Sequence, residues 1–111
     1  MSALKMRRRR ERLSFREISA AALAHLPVLV KRWLPAGRQQ GQEWVSRNPT
    51  REDRKPGSFK INLRTGRWAD FASGAKGGDV ISLAAYLFGL SQLAAARKLA
   101  AMLGASPEGG E

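Results

Sequence analysis

The sequence of 111 residues contains no cysteine and only one histidine, His25. Without cysteine, the chain has no disulfide, no thiolate nucleophile and no cysteine-ligated zinc or iron–sulfur site. One histidine leaves no His-rich metal site and no ordinary Ser-His-Asp triad. We therefore expect that the chain alone is not an enzyme and that it carries no cofactor and no metal.

Long apolar runs are also missing. No run approaches the roughly 18 residues that a membrane-spanning helix requires. Residues 1–12 are basic, but an amphipathic stretch follows them, in place of the apolar segment and small-residue cleavage site of a secretory signal. We expect a cytoplasmic protein with no membrane contact.

Acidic residues are scarce: Asp and Glu total 9 against 20 Lys and Arg, which leaves a formal net charge of +11. Residues 1–16 carry seven positive charges and one negative, and residues 31–76 carry eleven and four. A positive excess of this size indicates a polyanionic partner, and nucleic acid is the commonest one. The basic surface therefore comprises an N-terminal arm and the middle of the chain.

The pattern of apolar residues predicts one α+β domain over residues 14–104, between a basic arm (1–13) and a flexible tail (105–111). A small antiparallel sheet of three or more strands is expected, with N-terminal helices and two C-terminal helices packed on one of its faces. The segments are helices within 14–34, the sheet within 42–71 and helices within 79–103.

Helix ends carry the clearest local signals. Ser14 and Glu17 have the spacing of a capping box, and Pro27 ends or kinks the helix that follows. Asp79 and Ser91 are the expected caps of the two C-terminal helices.

A hairpin forms the centre of the predicted sheet. Phe59 and Ile61 alternate with Lys60 and Asn62, so one face of this strand is apolar and the other is polar and cationic. A short turn follows, and residues 67–71 return as the second strand.

Basic side chains are the candidate phosphate contacts. They are Arg7, Arg8, Arg9, Arg10, Arg47, Arg51, Arg54, Lys55, Lys60, Arg64, Arg67 and Lys76. The four arginines at residues 7–10 suit an arm laid along phosphates, with a solubilising tail or an N-terminal extension of the first helix as alternatives. Lys76 lies in a glycine-rich loop, where a structural turn is favoured over a phosphate cradle.

Trp68 is the candidate aromatic on which a base stacks. If Phe71 points to the core, alternation along the return strand places Trp68 on the polar face beside Lys60. The alternative, equally supported, is that Trp68 belongs to the core and Phe71 to a loop.

Three features follow one another in a recognisable order along the chain. They are Pro56-Gly-Ser-Phe59, a hairpin, and then Gly74-Ala-Lys-Gly-Gly-Asp79-Val-Ile-Ser-Leu83. This order resembles the CHC2-type zinc-binding domain at the N-terminus of bacterial DnaG-type primases and of primase-like proteins of phages, plasmids and integrated elements. The resemblance covers roughly residues 26–104. It implies a zinc-ribbon-like fold and template binding without nucleotide polymerisation, because the catalytic primase domain that follows in the family is missing.

The chain departs from the family at the zinc ligands. The resemblance assigns the family's Cys-x2-His pair to positions near Asn48 and Arg51, and its Cys-x2-Cys pair to Asp70 and Ser73. These are not the soft ligands that structural zinc requires. The resemblance therefore implies a metal-free form whose fold is held by its core.

These observations predict a non-catalytic nucleic-acid-binding module, with single-stranded DNA as the favoured partner, in the replication of a mobile element. The alternative is an adaptor or inhibitor that docks on a replication or nucleic-acid-bound defence complex. The sequence leaves the choice between DNA and RNA open.

Overall fold

The computed structural model describes residues 14–50 and 58–104, which form a small α+β domain of four helices and a five-stranded antiparallel sheet. This confirms the predicted fold class. The helices are α1 (Phe15–Ala24), α2 (Leu26–Trp33), α3 (Val80–Phe88) and α4 (Gln92–Met102). The strands are β1 (Arg38–Gln40), β2 (Glu43–Ser46), β3 (Phe59–Asn62), β4 (Trp68–Asp70) and β5 (Lys76–Gly77).

The sheet is a meander in which each strand pairs with the next along the chain, in the order β1-β2-β3-β4-β5. The predicted hairpin is β3–β4, with Ile61 opposite Trp68 and Phe59 opposite Asp70. Sequence patterns missed the two outer strands. β1 has no buried side chain, so no apolar alternation marks it, and β5 is only two residues long.

The predicted helix caps are confirmed. The Ser14 hydroxyl accepts from the Glu17 backbone N–H and the Glu17 carboxylate accepts from the Ser14 backbone N–H, both at 3.0 Å. His25, which is exposed, separates α1 from α2. Asp79 and Ser91 cap α3 and α4 through their side chains.

The core lies between one face of the sheet and the helices. α1 packs against α3 and α4, and α3 packs against α4. The sheet contributes the buried side chains Trp44, Phe59, Ile61 and Trp68 to this core. Both sheet indoles are also anchored by hydrogen bonds: Trp44 Nε1 donates to the Leu34 carbonyl at 3.1 Å and Trp68 Nε1 donates to Ser82 Oγ at 3.0 Å.

Within the described part of the chain, no single helix is long and apolar enough to cross a membrane. Helices α3 and α4 reach that length and composition only together, and they are bent by 105° at their junction.

Candidate nucleic-acid interface

The face of the sheet that points away from the helices carries a cationic surface. Residues on this face are directly opposite one another across the strands: Val45 faces both Arg38 and Lys60, and Ala69 faces both Lys60 and Lys76. We define the outer sheet face by this register. Its members are Arg38, Gln40, Glu43, Val45, Lys60, Asn62, Arg67, Ala69, Phe71 and Lys76.

An open depression of about 640 Å³ lies on this face. Three cations, Lys60, Arg67 and Lys76, line it together with Phe71. Val45 is only 6% exposed although it lies outside the main core, and its cross-strand neighbours on this face are Arg38 and Lys60. The charged side chains of this face therefore extend from the backbone of the paired strands.

Phe71 is the exposed aromatic of the outer sheet face. It follows β4 and is 71% exposed, the highest value among the large apolar side chains of the described residues. The Lys60 ammonium lies 5.7 Å from the centre of its ring, within cation–π range. A bare aromatic ring among cations is the combination with which proteins bind unpaired bases and their phosphates.

Trp68, in contrast, does not lie on this face, so the prediction that it stacks a base is wrong and its alternative, a place in the core, is confirmed. Its side chain is 5% exposed. Its ring packs against Tyr86, with centroids 4.8 Å apart, and edge-on against Phe59 at 5.9 Å. A residue held in this way has no free ring face for a base.

The prediction for Trp68 fails because it assumes the wrong phase of inward and outward side chains along β4. Treating Phe71 as an inward residue placed Trp68 outward, whereas the strand has the opposite phase. Asp70 concealed this phase, because it is a carboxylate that is fully buried on the inner face. The register of Trp68 opposite Ile61, a residue already assigned to the core, is the signal that identifies the correct phase.

The other predicted contacts are distributed over three places. Lys60, Arg67 and Lys76 lie together on the depression, while Arg64 is exposed in the β3–β4 turn and Arg47 is exposed directly after β2. The remaining predicted cations lie outside the described residues: Arg7, Arg8, Arg9, Arg10, Arg51, Arg54 and Lys55.

Two members of the outer sheet face were not among the candidates. The sequence pattern does not identify Arg38 because it does not predict β1, and it assigns Phe71 to the core or to a loop. Phe71 could be identified from the alternation along β4, because it follows Arg67 and Ala69 at a spacing of two residues and therefore points to the same outer face.

The glycine-rich segment before α3 has a structural role, because it contains a turn at Gly74 and the strand β5. Lys76 and Gly77 form β5, and Gly77 lies against the Trp68 indole, so no side chain fits there. The Asp79 carboxylate accepts from the Ser82 backbone N–H at 2.7 Å. The start of α3 is therefore capped by the chain's own anion.

A buried polar cluster lies at the end of the hairpin, on the inner side of the sheet. Asp70 accepts hydrogen bonds from Asn48 Nδ2 and Ser73 Oγ, both at 2.8 Å, and from the Ala72 backbone N–H at 3.1 Å. Asn48 Nδ2 also donates to the Tyr86 hydroxyl at 2.8 Å. These bonds join the end of β2, the β4–β5 turn and α3.

This cluster contains three of the four positions to which the resemblance assigns zinc ligands, namely Asn48, Asp70 and Ser73; the fourth, Arg51, lies outside the described residues. Their donors and acceptors are directed at one another, and the Asn48 amide presents its nitrogen, which is not a metal-ligating atom. Residues 14–50 and 58–104 contain no group of three or more His, Cys, Asp or Glu side chains suited to a metal ion. The residues present do not fit a structural zinc.

Comparison with known protein families gives no matching family, and no curated protein matches the sequence.

Proposed function

We propose that this chain is a non-catalytic nucleic-acid-binding module that holds single-stranded DNA in the cytoplasm, during replication of a mobile element. The observation that carries the proposal is the exposed Phe71 ring beside Lys60, Arg67 and Lys76 on one face of the sheet. The mobile-element setting rests on the primase-like order of motifs in the sequence.

Each part of the outer sheet face has a distinct role in this proposal. Lys60, Arg67 and Lys76 attract phosphates, and binding releases condensed counterions, so the affinity falls as salt rises. Phe71 stacks one base, which is worth about 1–3 kcal/mol by alanine substitution. Bases in a duplex are already stacked on one another and offer no free face to this ring, so we expect a preference for single strands.

The test is fluorescence anisotropy with labelled single-stranded and duplex DNA over a series of salt concentrations. We expect salt-sensitive binding, tighter for the single strand, and a loss of roughly 5- to 150-fold in affinity for Phe71→Ala. Leu93→Ala is the matched control, because Leu93 is an exposed apolar residue on α4 and not on the sheet. Absence of binding at physiological salt contradicts the proposal, and a Phe71→Ala variant that binds like the parent excludes the stacking role.

A second candidate is an interaction protein that docks on a replication or defence complex. Exposed apolar side chains on all four described helices favour it: Phe15 on α1, Val28 on α2, Phe88 on α3 and Leu93 on α4. This candidate predicts a partner protein that remains bound after nuclease treatment and after Phe71→Ala. The DNA-binding proposal predicts that nuclease removes any associated protein.

A further inference from the structure

One carboxylate lies within the cationic outer sheet face. Glu43 on β2 is half-buried and lines the same depression as Lys60 and Arg67. Its side chain makes no hydrogen bond or ion pair in the part of the chain that the structure describes. A negative charge at this place weakens phosphate binding, so Glu43 opposes the role of its neighbours unless it contacts something other than phosphate.

Asn62 lies directly opposite Glu43 in the β2–β3 register. Side chains in this relation have Cβ atoms about 4.5–5.5 Å apart. The Asn62 amide orientation is fixed by the β3–β4 turn, because Asn62 Oδ1 accepts from the backbone N–H groups of Arg64 and Thr65 at 2.9 and 3.0 Å. Its Nδ2 has no partner among the described residues. The Glu43 carboxylate, which only accepts hydrogen bonds, and Asn62 Nδ2, which only donates them, are thus on neighbouring residues at the depression.

We propose that Glu43 and Asn62 recognise the Watson–Crick edge of an unpaired base that presents an exocyclic amine beside a ring-nitrogen acceptor, as cytosine and adenine do and thymine does not. With cytosine, the Glu43 carboxylate accepts from the N4 amine, a pairing that proteins use for this base, and Asn62 Nδ2 donates to the neighbouring N3 acceptor. Thymine is disfavoured because its only edge proton, on N3, lies between the O2 and O4 carbonyl oxygens, which repel a carboxylate. This inference rests on the proposed single-strand binding and adds base selectivity to it.

The distance between Phe71 and Asn62 on the sheet allows one single-stranded DNA molecule to contact both. The Phe71 backbone N–H donates to the Ser58 carbonyl, so Phe71 lies level with Ser58 at one end of β3 and Asn62 lies at the other end. Four residues of strand separate the two levels by about 13 Å. A few nucleotides span this distance, with Lys60 placed between the stacked base and the recognised one.

The experiment compares oligo(dC) with oligo(dT) of equal length by anisotropy at neutral pH, for the parent, Glu43→Gln and Glu17→Gln. Glu17→Gln is the matched control, because it makes the same change of charge on α1, away from the sheet. We expect the parent to prefer oligo(dC) by roughly 5- to 150-fold, the discrimination of one good base contact. In Glu43→Gln the preference is lost, mainly through tighter oligo(dT) binding, because an amide can donate to O4. Glu17→Gln keeps the preference of the parent.

The outcomes separate this inference from the proposed function. Equal binding of both oligonucleotides by the parent overturns the contact with the base edge and leaves single-strand binding intact. A preference that persists in Glu43→Gln also overturns it, because the selectivity then arises elsewhere. Absence of binding to both oligonucleotides overturns the inference together with the proposed function.

Discussion

The two faces of the sheet are built from the same strands and differ in how completely their polar groups are partnered. On the inner face, Trp44 and Trp68 each donate their indole N–H, and Asp70 accepts three hydrogen bonds. The described residues contain no buried side-chain nitrogen or oxygen without a hydrogen bond. On the outer face, the Glu43 side chain has no partner among the described residues, and Phe71 leaves most of its ring to solvent.

This difference separates stability from function. Because an unpaired polar group in the core costs free energy, the composition of the inner face is constrained by folding. The outer face is under no such constraint, since water satisfies its charges. The fold therefore does not require the exposed aromatic ring, the four cations and the carboxylate of that face, and we propose that they bind the ligand.

The largest effect that tests this comparison is on folding. Trp68→Ala removes an indole from the core together with the hydrogen bond to Ser82, and we expect a loss of about 3–5 kcal/mol in the free energy of unfolding. Phe71→Ala, three positions away, is expected to change it by no more than about 0.5 kcal/mol. Urea unfolding followed by circular dichroism measures both.

One outcome for Trp68→Ala and Phe71→Ala would contradict the difference between the two faces. If Phe71→Ala destabilised the domain as much as Trp68→Ala, Phe71 would be a packing residue and the two faces would not differ as described. Because Phe71→Ala is expected to retain the parent's stability, any loss of DNA affinity measured for this variant can be assigned to the missing ring.

A smaller effect is expected at two adjacent glycines. A Cβ on Gly77 would collide with the Trp68 indole and the Ser82 hydroxyl on the inner side, whereas a Cβ on Gly78 would have no atom within 4 Å. Neither glycine has a positive φ. Gly77→Ala should cost about 1–3 kcal/mol through overpacking, and Gly78→Ala should cost nothing.

Thermal unfolding of the two alanine variants measures this difference, since 1 kcal/mol corresponds to a shift of about 4–8 °C in Tm for a domain of this size. Equal Tm values would mean that β5 moves away from Trp68 without penalty. The inner face would then extend only as far as β4.

Much of this fold follows from local sequence signals. The capping box at Ser14, the cap at Asp79 and the alternation of Phe59 and Ile61 each depend on a few neighbouring residues, and each is confirmed. The outer placement of Lys60 follows from the same alternation, so part of the candidate site was predictable as well.

The features that the sequence did not reveal depend on tertiary partners. β1 and β5 carry too few apolar residues to show a period and exist only because a neighbouring strand pairs with them. The burial of Asp70 requires Asn48, 22 residues earlier, and no local pattern predicts it. That burial reversed the apparent phase of β4, and with it the assignment of Trp68 and Phe71.

The smallest effect concerns a carboxylate that, unlike Glu43, has partners. The pKa of Glu17 is lowered from its ordinary value of 4.5, first by the hydrogen bond with the Ser14 backbone and then by the Ser14 side chain. A lowered pKa in the folded state means that ionised Glu17 stabilises the domain above its ordinary pKa, and that this contribution is lost as pH falls through the lowered value.

Glu17→Gln isolates this charge, because glutamine can keep the reciprocal capping contact with Ser14. We therefore expect the parent to be slightly more stable than Glu17→Gln at neutral pH, and the two to converge below pH 4.5. Urea unfolding at both pH values measures the convergence. A stability difference that stays constant with pH would show that the charge of Glu17 contributes nothing and that the cap acts through hydrogen bonds alone.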